Sequence, residues 1–247
     1  MKTILSVYGV CDIGCKKPTN EDMILLNDEI FRDGSKQKKF DTGKNVVIAI
    51  ADGIGGLDKG EVASEMALTK LKEILENIPD DLSNQELNEV FDVYTQETHR
   101  AMSEGMGSTI VGLFIYQSKV FRFHAGDSRI YLLRNGGLKR LTTDHSLRES
   151  GGNPNAPTNI ITNSLGGGGS AFIEFAEIEQ PFLQDDIYLL SSDGLHDLVP
   201  PAIISDTLIY SQTENSEAAL KLMALAKDKG GLDNISIITI KVEENEV

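Results

Sequence analysis

Residues 46–56, Val46-Val47-Ile48-Ala49-Ile50-Ala51-Asp52-Gly53-Ile54-Gly55-Gly56, constrain this chain more than any other stretch. A run of small and β-branched apolar residues stops at an aspartate, and a glycine-rich turn follows at once. Such a run, bounded by turn signals, predicts a buried strand. It delivers one carboxylate out of the core at a point where the backbone bends freely. Asp-Gly is also ordinary tight-turn chemistry, so one occurrence does not separate a site from a bend. Recurrence does. Asp127 follows a strand ending in Ala125-Gly126, and Asp193-Gly194 follows another apolar run. Asp233-Asn234 precedes the last strand pattern, and Glu21-Asp22 abuts Met23-Ile24-Leu25-Leu26.

The remaining periodicities supply the frame. Residues 4–11 predict a first strand, and residues 32–45, Lys-, Gly- and Asp-rich without apolar period, predict a solvated loop. Leu68, Leu71, Leu75 and Ile78 recur at helical spacing from about residue 60 until Pro79. Ser83 followed by Glu86 predicts a capping box for a second helix, with the stripe Leu87, Val90, Phe91 and Tyr94. Strands at 108–116, 120–124, 130–133 and 137–141, joined by turns such as Asn135-Gly136, predict antiparallel pairing. Residues 149–170, rich in Gly, Asn and Pro, predict a mobile surface loop. Strands resume at 171–178 and 187–190, helices follow at about 200–211 and 214–229, and a strand at 235–242 closes the chain. Strand clusters interleaved with helix pairs, without βαβ alternation, give an α+β class.

At 247 residues, with 40% apolar and 25% charged content, the chain has ample material for a large core. Its 23 basic and 38 acidic residues leave a net charge of −15. That balance argues against a nucleic-acid partner, which needs a basic stripe, and against an anionic membrane surface. It suits a carboxylate-rich centre held together by cations. Cys11 and Cys15 have neither zinc nor redox-motif spacing, so reduced, partly buried thiols in a cytoplasmic protein are expected. No apolar run is long enough to cross a bilayer.

Strand-end carboxylates brought together at a sheet rim repel one another, and a hard divalent cation with all-oxygen ligation, Mg2+ or Mn2+, relieves that. The pattern resembles the metal-dependent serine/threonine protein phosphatases of the PPM (type 2C) family, in particular its short bacterial members. The likeness rests on six elements in the family's order: Asn20-Glu21-Asp22, Ala51-Asp52-Gly53-Ile54-Gly55-Gly56 running into Gly60-Glu61-Val62-Ala63-Ser64, Gly107-Ser108-Thr109, Gly126-Asp127-Ser128-Arg129, Ser192-Asp193-Gly194-Leu195 and Asp233-Asn234-Ile235-Ser236.

The resemblance implies a four-layer α/β/β/α sandwich, two antiparallel sheets flanked by helix pairs, in one phosphatase domain over residues 1–247 with a flap-like loop at about 145–171. It implies that Asp52 bridges two metals, that the Gly53 carbonyl binds one, and that Asp193 and Asp233 complete the other. Asp22 and Glu21 would act through water, and Asp127 with Asp193 would serve a third ion. The implied reaction is hydrolysis of phosphoserine and phosphothreonine on proteins by a metal-bridging hydroxide, with Asp52, Asp193 and Asp233 as its core. The implied partners are phosphorylated proteins, those of a cognate Ser/Thr kinase, and the enzyme would be a monomer.

Three departures matter. The family's phosphate-gripping arginine is replaced by Lys17, a point charge without a bidentate fork. Ile54 and Leu57 stand where relatives often carry a histidine proposed as general acid; His145 is the nearest remaining candidate, though a structural role suits it better. The flap segment is short and glycine-rich, so peptide preference does not carry over. Sequence alone leaves two alternatives open: a non-catalytic interaction protein that kept the fold, and a phosphatase for a small phosphate ester.

Overall fold

The computed structural model describes residues 3–54, 59–102, 105–149, 160–211 and 215–244. The chain opens with β1 (Thr3–Asp12), β2 (Asp22–Leu26), β3 (Glu29–Phe31), β4 (Gly34–Asp41) and β5 (Val46–Asp52). Helices α1 (Gly60–Glu76) and α2 (Asn84–Ala101) follow. Next come β6 (Gly107–Ser108), β7 (Ile110–Tyr116), β8 (Lys119–Ala125), β9 (Arg129–Arg134) and β10 (Gly137–Arg140). Within the segment expected as a loop lies β11 (Leu165–Gly166), with Leu165 fully buried, and after it come β12 (Glu174–Glu177) and β13 (Ile187–Ser191). The last elements are α3 (Asp193–His196), α4 (Pro201–Tyr210), α5 (Asn215–Asp228) and β14 (Ile235–Glu244).

Two six-stranded antiparallel sheets carry the architecture, ordered β10-β9-β13-β14-β1-β4 and β12-β8-β7-β5-β2-β3. One apolar core lies between them, built from Ile24, Ile48, Ile50, Val111, Ile130, Leu190 and Ile238 among others. The opposite face of the second sheet packs Ala49 and Phe114 against Leu68, Leu71, Leu87 and Phe91 of α1 and α2. The outer face of the first packs Leu189 and Ile237 against Leu208, Leu222 and Met223 of α4 and α5. This is the four-layer sandwich expected from the resemblance. Ile48 and Ile50 are fully buried, each contributing about 1.5–3 kcal/mol of transfer free energy. The box forms as read: Ser83 N donates to Glu86 Oε2 at 2.8 Å, and Glu86 N donates to Ser83 Oγ at 3.3 Å.

The structure corrects the sequence in four places. Residues 34–41 are the edge strand β4, not a loop; it pairs only with β1, and apart from Phe40, which packs partly buried against the core between the sheets, its residues are polar or glycine and show no apolar alternation. Lys36 and Lys38 pair with Glu29, and Lys39 pairs with Glu243. The strand expected at 108–116 is divided at Thr109, whose N–H donates to Asp52 O at 2.8 Å. The strand expected at 171–178 is confined to Glu174–Glu177. A single helical turn, α3, starts at Asp193, too short for periodicity to register. Of the two thiols, Cys11 is buried and Cys15 exposed.

Candidate metal centre

The carboxylates come from two sheets. Asp22 opens β2 and Asp52 closes β5, and the two are direct antiparallel partners. Asp193 follows β13 and Asp233 precedes β14, neighbouring strands of the other sheet. Asp127 lies just beyond β8. Glu21, Asp52, Gly53, Asp127, Asp193 and Asp233 all line one cavity of about 350 Å3, and Lys17 joins them. Asp22 does not line it; it lies fully buried behind.

Close backbone approach explains the glycines here. A Cβ on Gly53 would come within 2.2 Å of Gly60 O, and one on Gly194 within 2.0 Å of Asn234 O. Side chains longer than hydrogen would therefore push Asp52 away from α1 and Asp193 away from Asp233. The Asp52 carbonyl accepts from Thr109 N and from Ser108 Oγ, at 2.8 and 3.1 Å, which fixes the strand end. Asn234 Oδ1 accepts from Glu21 N at 2.8 Å, while its Nδ2 donates to Ile13 O and Thr19 O at 3.0 and 3.1 Å. One amide thus moors the loop that carries Lys17 and Glu21.

Burial dominates the electrostatics. It pushes the Asp22 carboxyl up to about 6, partly offset by the Ser192 hydroxyl, which donates to Asp22 Oδ2 at 2.7 Å. Burial, then the charge of Asp144, pushes Asp127 up to about 6. Asp52 is raised well above the usual carboxylate range by burial and then by the charges of Asp22, Asp193, Asp127 and Asp233, and Asp193 by burial and then by those of Asp127, Asp233, Asp22 and Asp197. Burial also raises Glu21, against the pull of Lys17. Burial works against the charge of Lys17, but its hydrogen bond to Asp233 and the surrounding carboxylates raise its pKa on balance. Its Nζ lies 2.7 Å from Asp233 Oδ1 and 3.9 Å from Glu21 Oε2.

Asp22 Oδ1 and Asp127 Oδ1 are buried without a hydrogen-bond partner. Orphaned carboxylate oxygens among mutually repelling carboxylates fit a hard divalent cation with oxygen ligands, the chemistry of Mg2+ or Mn2+.

A second cluster brings His124, His145 and Glu174 ligand atoms within 4.8 Å of one another. The two imidazoles stack, with centroids 4.6 Å apart and planes 17° apart. Ligating lone pairs lie in the ring plane, so stacked rings face one ion only after a ring turns. Neither histidine lines the cavity. Ile54 does line it, and Leu57, Gly55 and Gly56 lie outside the described residues. Ile161 and Thr109 also line it. Ile161 carried no sequence signal; Thr109 stood inside a quoted motif, and Asn234 stood beside Asp233 in another.

A protein phosphatase 2C family model matches residues 17–150. The chain is 32% identical over 250 residues to the serine/threonine phosphatase stp of Listeria innocua serovar 6a, covering 93% of each. Among solved structures, the S. agalactiae serine/threonine phosphatase superposes with a TM-score of 0.80 at 28% identity, over 97% of this chain and 100% of that one. The catalytic domain of the serine threonine protein phosphatase PstP, in complex with two manganese ions, gives a TM-score of 0.74 at 26% identity, over 98% and 100%.

Proposed function

Because the chain belongs to the protein phosphatase 2C family, we propose that its strand-end carboxylates are the metal centre of a metal-dependent serine/threonine protein phosphatase acting on phosphoproteins. The observation that carries this reading is the convergence of Asp52, Asp127, Asp193 and Asp233 on one cavity, with Asp127 Oδ1 and Asp22 Oδ1 left unpaired.

In this reading Asp52, the Gly53 carbonyl, Asp193 and Asp233 would hold the cations. Glu21 and Asp22 support it from the β2 side, and Asp127 with Asp193 offers room for a third ion. Bound there, Mn2+ or Mg2+ would supply a nucleophilic water at neutral pH and neutralise developing charge on phosphate. Lys17, whose Nζ lies 2.7 Å from Asp233 Oδ1, would meet the phosphate as a point charge. Asn234 keeps Lys17 and Glu21 at the rim, and Ser192 orients Asp22.

The three cores draw on elements from the whole chain, which supports one phosphatase domain over residues 1–247 with a flap-like loop near 145–171. No helix among the described residues is long and apolar enough to cross a membrane. A cytoplasmic monomer opposing a cognate Ser/Thr kinase completes the proposal.

The test compares hydrolysis of a phosphothreonine peptide and of a small aryl phosphate, with and without Mn2+. Both rates are expected to require the metal and to be lost in Asp193→Asn. Turnover at the wild-type level in that variant would remove the site assignment.

A further inference from the structure

Gly126 adopts φ +112°, and a Cβ there would meet Thr109 Cβ at 2.6 Å, so the turn that aims Asp127 has a backbone only glycine adopts without strain. His145 grips both polar groups of that glycine. Its own N–H donates to Gly126 O at 2.9 Å, and its Nδ1 accepts from Gly126 N at 3.2 Å. The same Nδ1 accepts from Asn163 Nδ2 at 2.9 Å. The amide orientation of Asn163 is fixed independently. Its Nδ2 donates to Phe172 O at 2.9 Å, and its Oδ1 accepts from Phe172 N at 3.1 Å. Two N–H groups on Nδ1 place the proton of the neutral ring on Nε2, which faces Glu174 Oε1 at 3.3 Å.

From His145 the contacts continue into the flap stem. Thr162 N donates to His145 O, and Leu147 N to Ile160 O, each at 2.8 Å. Ser146 and Ile161 form a β-bridge, and Ile161 is a wall of the metal cavity. The ring itself is 5% exposed, held between the His124 ring at 4.6 Å and the Phe172 ring at 4.9 Å.

We infer that His145 is a positioning residue that ties the flap stem at Thr162–Asn163 to the Gly126–Asp127 turn, so that peptide contact at the stem and cation binding at Asp127 act on one another. The inference rests on the phosphatase reading above. Its chemistry is specific: Nδ1 must be an acceptor for two donors from two segments, a requirement that packing volume alone does not impose.

Three variants test it, His145→Ala, His145→Asn and Asn163→Ala, each measured by Mn2+ titration calorimetry and by KM on a phosphothreonine peptide and on an aryl phosphate. Asparagine places Oδ1 where Nδ1 was, so it keeps the acceptor and loses the ring. Removing the acceptor is expected to weaken the weakest Mn2+ step about tenfold, the effect of one lost buried hydrogen-bond set. The peptide KM should rise several-fold more than the aryl phosphate KM in His145→Ala and in Asn163→Ala, and His145→Asn should recover most of each loss. Wild-type Mn2+ isotherms in His145→Ala and Asn163→Ala would overturn the inference, and so would a His145→Asn variant no better than alanine. Should His145→Ala not fold, Asn163→Ala and His145→Asn decide by the same measurements. A wild type that binds Mn2+ but hydrolyses neither ester counts against the phosphatase reading, and the isotherms still judge the clamp.

Discussion

Lys17 Nζ lies 2.7 Å from Asp233 Oδ1, so the group assigned to phosphate is held by a carboxylate assigned to a metal. The two assignments compete until a cation arrives. Lys17→Met should therefore bind Mn2+ a few-fold more tightly, because a positive charge leaves the site, while KM for phosphopeptide rises about tenfold. Lys17→Arg should lower KM, since a guanidinium grips phosphate with two parallel N–H groups. Calorimetry and steady-state kinetics separate the two effects; a variant that moves neither quantity removes Lys17 from the site.

Asn234 serves three backbone groups at once. Asn234→Ala should cost on the order of 2–3 kcal/mol, with Glu21 N, Ile13 O and Thr19 O left unpaired. Asn234→Asp keeps the acceptor for Glu21 N but turns a carboxylate oxygen toward the Ile13 and Thr19 carbonyls at a buried position, so its melting temperature should fall below that of alanine. Thermal denaturation in the presence of Mn2+ gives the order.

Asp127 has its carboxyl pushed up to about 6, with burial as the leading cause. The sign follows from linkage. A carboxylate with its folded value above the unfolded one is least costly when protonated, so stability is lost as pH rises from about 4 to 6. In metal-free protein, Asp127→Asn should thus be more stable than wild type at pH 7.5 by on the order of 1–3 kcal/mol, and the difference should vanish near pH 4. Saturating Mn2+ should reverse the order at pH 7.5. Equal metal-free melting curves across that range would show that Asp127 is not buried as an unpaired acid.

Gly53→Ala tests the backbone approach beneath Asp52, where a Cβ would lie 2.2 Å from Gly60 O. The expected loss is more than about 2 kcal/mol, since the obstacle is backbone and has no rotamer to yield. Chemical denaturation measures it. Gly137→Ala, where the nearest atom to an added Cβ is 3.5 Å away, is the neutral control.

Most strands of both sheets and the two long helices were legible because buried runs and amphipathic stripes leave a period. Ile48-Ala49-Ile50, Leu68-Leu71-Leu75 and the Ser83–Glu86 box each predicted their own environment. Strand β4 left none, because Phe40 is its one apolar side chain and its order comes from backbone bonds to β1. The strand-end aspartates announced themselves by repetition, although nothing local indicated that they share one cavity; that follows from strand order. The role of Asn234 and the presence of Ile161 in the cavity wall were illegible for different reasons. The amide acts on carbonyls more than 200 positions away, and the isoleucine reaches the cavity only through the bridge to Ser146.

The origin of the four central carboxylates has a mechanical consequence. Asp22 and Asp52 belong to one sheet, and Asp193 and Asp233 flank strands of the other. A cation held between Asp52 on one side and Asp193 and Asp233 on the other would be a rivet through two plates, resisting shear between the sheets at the rim where like charges would otherwise pry them apart. Metal loading would then raise the force needed to slide β5 past β14, while the edge strands β10 and β12 would feel less of it. Pulling experiments along and across the sandwich would read that anisotropy directly.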